Sequence, residues 1–274
     1  MENLIGALNI LLPTLYALSW GLYALLFFRN DPFAERAAPR LLLATGSLHG
    51  VDLLCRAFYY RHFPVATVFE AFSVLAFSVL VVYLIIEWRT GVRTTGMFIV
   101  GIVFIFQIVS SAFITAPTDF SDLLREPMFV LHASTAVLGY SGMAISAIYS
   151  ALYLMLFYDI KTQRFGIIYK QLPSLEVLGA FTYRAATLGF LFLTVAMGLG
   201  LVLLVKVYGT YWRWDPKLAV TFVAWLIYSL CVVAKKFWGW SARRVAFVSL
   251  AGFAVIIFSL VVINLFLTSF HEFV

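Results

Sequence analysis

Long apolar runs broken by short polar stretches set the pattern of this sequence. Eight such runs recur, at roughly residues 4–28, 41–60, 65–87, 95–114, 128–158, 177–206, 217–234 and 245–270. A helix that crosses a bilayer needs about 20 mostly apolar residues, so each run predicts one transmembrane helix. The fifth and sixth runs exceed that need and are expected to tilt or to project beyond the bilayer. Connections are short, and neither a low-complexity segment nor a clear internal repeat interrupts the series. The pattern predicts an all-α fold: a polytopic membrane protein, a bundle of eight transmembrane helices forming one integral membrane domain over residues 1–274.

Composition agrees. The chain is 63% hydrophobic and 12% charged, with a mean hydropathy of +0.98, whereas a soluble domain is about half apolar and about a quarter charged. The first run is too long for the core of a secretory signal and no small-residue cleavage site follows it, so no cleavable signal peptide is expected. The net charge is +6, but the basic residues stand at the ends of apolar runs, where topology signals belong. Nucleic acid is therefore not an expected partner. The odd-numbered loops carry twelve Lys and Arg, from Arg29, Arg36 and Arg40 to Lys235, Lys236, Arg243 and Arg244, against six on the other side. The excess of Lys and Arg in cytoplasmic loops then places both termini on the outer face of a cytoplasmic membrane. Cys55 and Cys231 lie inside apolar runs with no CxxC or CxxCH spacing. The chain is accordingly neither a thiol oxidoreductase nor a c-type cytochrome, and both thiols read as buried and inert.

One polar stretch stands apart: Tyr208-Gly209-Thr210-Tyr211-Trp212-Arg213-Trp214-Asp215-Pro216-Lys217, on the outer face by the same charge rule. Trp and Tyr gather at membrane surfaces, but this loop is denser in them than an anchoring belt requires, and Pro216 suits the first turn of the following helix. His62, His132 and His271 fall at outer ends of helices, on the side of this loop. A lone His at a helix end is commonly an interfacial residue. Two on separate helices, with an aromatic platform between them, suit a haem: imidazole is the common axial ligand, and indole and phenol rings match the porphyrin face. Nearby Lys and Arg suit its carboxylates. His49 sits about 13 Å from the inner end of its helix, near the middle of the membrane. An ionisable residue there is a functional candidate, and a neutral His bonded to a neighbouring helix fits equally. Arg184 with Glu176 reads as an ion pair or as a snorkelling side chain.

The aromatic loop, in the form Gly-x-Tyr-Trp-x-Trp-Asp-Pro-Lys over residues 209–217, resembles the tryptophan-rich WWD signature of haem-handling cytochrome c assembly proteins, most nearly the CcsA/ResC branch. Arg56 with His62-Phe63-Pro64 and Phe69-Glu70 is similar to the family's Arg…Gly-His-x-Pro…Tyr-Glu-Ser stretch before the third helix. Leu131-His132 with Tyr140, then Tyr183-Arg184, Gly189-Phe190-Leu191 and Leu193-Thr194, and finally Asn264 with His271, follow in the family's order. The resemblance implies haem b held on the outer face, with His132 and His271 as axial ligands and Tyr211, Trp212, Trp214 and Asp215 as its platform. It also implies presentation of that haem to the CxxCH segment of an apocytochrome c, as a subunit of a holocytochrome c synthase (haem lyase) with a ResB/CcsB-like membrane partner.

Departures from the family wording are specific. Tyr208 stands where many relatives have Trp, Leu218 where Glu is usual, Thr67 for an Asn and Ala71 for a Ser. Val233 occupies the position at which haem-conducting relatives carry a His, and Val cannot ligate iron. The short chain and the Phe63-Pro64-Val65…Phe69-Glu70 wording also resemble the HemX branch. That resemblance implies an alternative: a non-catalytic membrane protein regulating haem biosynthesis through glutamyl-tRNA reductase levels.

Overall fold

The computed structural model describes residues 2–114, 122–210 and 215–259. Nine α-helices occupy those residues: α1 (Glu2–Arg29), α2 (Pro32–Tyr60), α3 (Val68–Thr90), α4 (Gly96–Phe113), α5 (Pro127–Lys161), the short α6 (Ile167–Gln171), α7 (Leu175–Tyr208), α8 (Pro216–Phe237) and α9 (Ala242–Phe258). Seven of them are long and apolar enough to cross a membrane. The eighth expected run begins as α9, and its remainder lies outside the described residues. The chain is thus a polytopic helical membrane protein.

Helix ends follow local chemistry. The second helix begins nine residues before its apolar run, because the Asp31 carboxylate accepts the N–H groups of Phe33 and Ala34 and Pro32 fills the first turn. Thr67 caps α3 by accepting the Glu70 N–H at 3.1 Å, and Glu70 reaches back to the Ala66 N–H at 2.8 Å. This reciprocal capping shows that Thr67 keeps the capping role open to the Asn it replaces.

One compact unit holds α1–α4 with α6, and a second holds α5, α7, α8 and α9. In the first, α1 packs on α2 and α4, and α3 on α4 and α2. Its buried positions recur at three and four residues: Leu8, Leu12, Tyr16, Ser19 and Tyr23 on α1, and Leu42, Thr45, His49, Asp52 and Arg56 on α2. The inward face of α2 is polar over its second half, while Leu43, Leu48, Val51, Leu54 and Phe58 point outward. Such inversion is stable in lipid only when the inward groups satisfy one another. Most do so in a chain, with Asp52 Oδ1 left without a hydrogen-bond partner among the described residues. Arg56 bonds Asp52 at 2.8 Å and Asn9 at 3.1 Å, Asn9 donates to the Ser111 carbonyl at 2.9 Å, and Gln107 donates to the Ser111 hydroxyl at 3.1 Å.

In the second unit α5 is central, and each residue from Ser141 to Ser150 is buried. It meets α7 backbone to backbone: a Cβ added at Gly142 would lie 2.8 Å from the Gly189 Cα. Small residues permit that approach between membrane helices. Ser146 donates to the Thr182 carbonyl at 2.9 Å and lies 2.8 Å from the Ser249 hydroxyl, tying α5 to α7 and α9. Helices α5 and α7 have 35 and 34 residues, about 53 and about 51 Å at 1.5 Å per residue, well beyond a hydrocarbon core of about 30 Å.

Candidate functional site

The site begins where α5 starts and α7 ends. Glu126, just before α5, pairs with Lys206 in the last turn of α7 at 2.9 Å. Gly209 then ends α7 in the left-handed conformation (φ +68°), with its N–H on the Val205 carbonyl at 2.9 Å. Only glycine takes that turn without strain, and it starts the aromatic loop. At the far side Asp215 caps α8: its carboxylate accepts the Leu218 N–H at 3.0 Å, Pro216 follows in the first turn, and Asp215 is 2% exposed.

Along its first half, α8 is held by hydroxyl contacts. Trp225 Nε1–H donates to the Thr194 hydroxyl at 2.8 Å, which itself donates to the Phe190 carbonyl at 2.7 Å. The Tyr140 hydroxyl stands 3.3 Å from that of Thr221. Tyr140 and Thr194, read from the sequence as landmarks, thus anchor the helix that carries the loop's second end.

His132 lies in the second turn of α5, half-buried, with Nδ1 2.8 Å from the Ala196 carbonyl of α7. A carbonyl only accepts, so Nδ1 carries the proton and, in the neutral ring, the lone pair resides on Nε2. A metal-ligating His ordinarily has its other N–H fixed in this way. Gly200 makes room for the ring: a Cβ there would stand 3.0 Å from His132 Cε1. His132 therefore fits the part of an iron ligand, oriented by Ala196 and Gly200. Neither of those two was singled out from sequence, although Gly198-Leu199-Gly200 is a visible interruption of an apolar helix.

Of the remaining expected site residues, Tyr211, Trp212, Trp214 and His271 lie outside the described residues. Among the described residues no group of three or more His, Cys, Asp and Glu converges in a metal-binding arrangement.

The other histidines are accounted for within the first unit. His49 is fully buried, with Nδ1 2.8 Å from the Tyr16 hydroxyl and Nε2 2.9 Å from that of Ser73. Ser73 donates its one proton to Gln107 Oε1 at 3.1 Å. It must then accept from His49 Nε2–H, while Tyr16 donates to Nδ1. Both ring nitrogens are engaged, so His49 is the neutral, helix-bonded residue of the two readings. His62 is buried, donates Nδ1–H to the Phe63 carbonyl at 2.7 Å, and places Nε2 3.9 Å from Glu70. Arg184 and Glu176 form no ion pair with each other.

The family model described as cytochrome C assembly protein matches residues 65–271. A cytochrome c biogenesis protein CcsA of Heterosigma akashiwo is 27% identical over 236 residues, 73% of each chain. The protein of the same name from Synechococcus sp. (strain RCC307) is 26% identical over 297 residues, covering 98% of this chain and 92% of its own. The solved structure of cytochrome c heme lyase CcmF superposes with a TM-score of 0.65 at 16% identity over 91% of this chain, which spans 45% of that one. That likeness shows a shared fold.

Proposed function

Since the chain belongs to the cytochrome c assembly protein family, we propose that it holds haem b on the outer membrane face and presents it to an apocytochrome c for covalent attachment. The orientation of His132 carries this reading. Its Nδ1–H is fixed on Ala196 at 2.8 Å, so the ring enters the site with tautomer and direction already set, a requirement of an axial ligand. In this reading His271 supplies the second ligand, and Tyr211, Trp212 and Trp214 form the bed that shields one macrocycle face from water. Asp215 holds the loop's end by capping α8.

When bound, the haem supplies the vinyl groups at which the thiols of a CxxCH segment form thioethers. The chain's own part is to orient and to exclude water, and a fixed geometry of this kind supplies acceleration by proximity. A ResB/CcsB-like subunit completes the assembly, as an outer domain that the described residues do not contain. The curated relatives' role in cytochrome c biogenesis and the excess of Lys and Arg in odd loops support this placement.

Val233 favours a second reading. It stands half-buried in α8 where haem-conducting relatives carry His, which suits a HemX-like regulator that holds haem without passing it across the membrane.

The purified protein is expected to show a low-spin bis-His haem b spectrum, lost or turned high-spin by His132→Ala and by His271→Ala. Unchanged spectra in both variants would overturn the ligand assignment. Co-expression with a ResB-like partner and a CxxCH reporter, in cells lacking their own system, separates the two readings. A reporter without covalent haem supports regulation.

A further inference from the structure

The second unit carries another polar site, at the end of α7 and α8 away from the aromatic loop. A cavity of about 470 Å³ opens there, lined by Tyr153 of α5, by Glu176, Tyr183 and Arg184 of α7, and by Lys235 of α8. Among the described residues, Arg184 and Glu176 have no hydrogen-bond or ion-pair partner, and the same holds for the Tyr153 and Tyr183 hydroxyls. Lys235 donates to the Trp240 carbonyl at 3.1 Å, which leaves two of its ammonium donors for the cavity.

Depth decides what meets these groups. Arg184 lies 24 residues from the loop end of α7, and Lys235 lies 19 from the start of α8. At 1.5 Å per residue these are about 36 and 29 Å, close to the thickness of the hydrocarbon core at about 30 Å. With the loop at one surface, both cations reach the headgroup level of the other. Trp238, 63% exposed beside Lys235, marks the same level. From Arg184 toward the loop, Leu188, Leu191 and Val195 continue its face of α7 as an exposed apolar stripe.

We propose that this cavity is a specific site for a phosphoethanolamine lipid. Arg184 and Lys235 take the phosphodiester, Glu176 takes the ammonium, and the acyl chains run along Leu188, Leu191 and Val195. The guanidinium fork matches phosphate oxygens, and basic pockets between membrane helices recognise headgroups in this manner. Glu176 disfavours a second anionic group and selects a ligand with a cation next to its phosphate. The stripe selects a membrane-embedded source over a soluble one.

Native mass spectrometry of the intact chain in detergent, titrated separately with phosphatidylethanolamine, phosphatidylglycerol and soluble glycerophosphoethanolamine, tests this. One phosphatidylethanolamine adduct is expected. Arg184→Gln and Lys235→Gln should each weaken it about fivefold, the worth of one surface cation toward a lipid headgroup. Glu176→Gln should abolish the preference for phosphatidylethanolamine over phosphatidylglycerol, and Arg184→Lys, which keeps the charge but not the fork, should bind better than Arg184→Gln and less well than the wild type, which separates lost charge from misfolding. The proposal fails if the double variant Arg184→Gln, Lys235→Gln keeps the wild-type adduct. It fails equally if the wild type prefers phosphatidylglycerol, or if glycerophosphoethanolamine binds as tightly as the lipid.

Discussion

Gly200→Ala is the sharpest probe of how His132, the proposed haem ligand, is held. A Cβ at this position would stand 3.0 Å from Cε1 and 3.3 Å from Nδ1 of His132. Carbon atoms settle at about 3.5–4.0 Å, so the ring must retreat by about half an ångström. The Nδ1–H bond to Ala196, now 2.8 Å, would then reach about 3.3 Å, beyond the usual N–H···O range of about 2.7–3.2 Å. A weakened hydrogen bond of this kind costs about 1 kcal/mol, or about fivefold in haem affinity. Fold stability is the wrong readout, because alanine gains up to about 1 kcal/mol of helix propensity over glycine and masks the loss. Affinity is read by titrating the haem-free protein with haem and following the absorption band. Gly198→Ala is the matched control: its Cβ would meet nothing within 4 Å, and it gains the same propensity. If the two variants bind haem alike, the orienting role of Ala196 and Gly200 is wrong.

Three further expectations concern the scaffold. Ser73→Ala removes the acceptor of His49 Nε2–H and should destabilise the protein by about 1–3 kcal/mol. Thermal unfolding in detergent reads this, with an unchanged haem spectrum; a shifted spectrum would contradict the structural role given to His49. Gly189→Ala places a Cβ 2.8 Å from the Met143 backbone nitrogen, and separating α5 from α7 should cost about 1–3 kcal/mol in the same assay. An unaltered melting temperature would refute that backbone contact. Asp215→Ala loses the cap of α8 at about 1 kcal/mol, whereas Asp215→Asn, an equally good capping residue, should retain it. Equal losses in the two would mean that the charge of Asp215 matters instead.

Much of this was readable from the chain because lipid imposes one rule, that the backbone must satisfy itself, and long apolar runs then mean helices. Seven runs appear as spanning helices, and the two longest correspond to α5 and α7, the 35- and 34-residue helices. The start of α2 was not readable, since Glu35, Arg36, Pro39 and Arg40 suppress its apolar signal while Asp31 and Pro32 fix its first turn. Sequence named His132 through its position at a helix end and its family setting. It could not name Ala196, whose part is played by a carbonyl that every residue carries. For His49 it left two readings, and only the geometry of Tyr16, Ser73 and Gln107 chose between them.

The polar inner face of α2 bears on how the nascent chain enters the membrane. This is the least apolar of the seven spans, and an Asp or Arg at the centre of a lone inserting helix costs about 2.5–3.5 kcal/mol. Asp52 and Arg56 neutralise each other within α2 at 2.8 Å, but His49 finds its acceptors and donors only on α1 and α3. Insertion is therefore expected to be cooperative, because α2 gains the partners of His49 only once α1 and α3 stand beside it. A chain stalled after α2 is expected to be less firmly inserted than one stalled after α3, as mapping of the stalled chains with water-soluble thiol reagents would read.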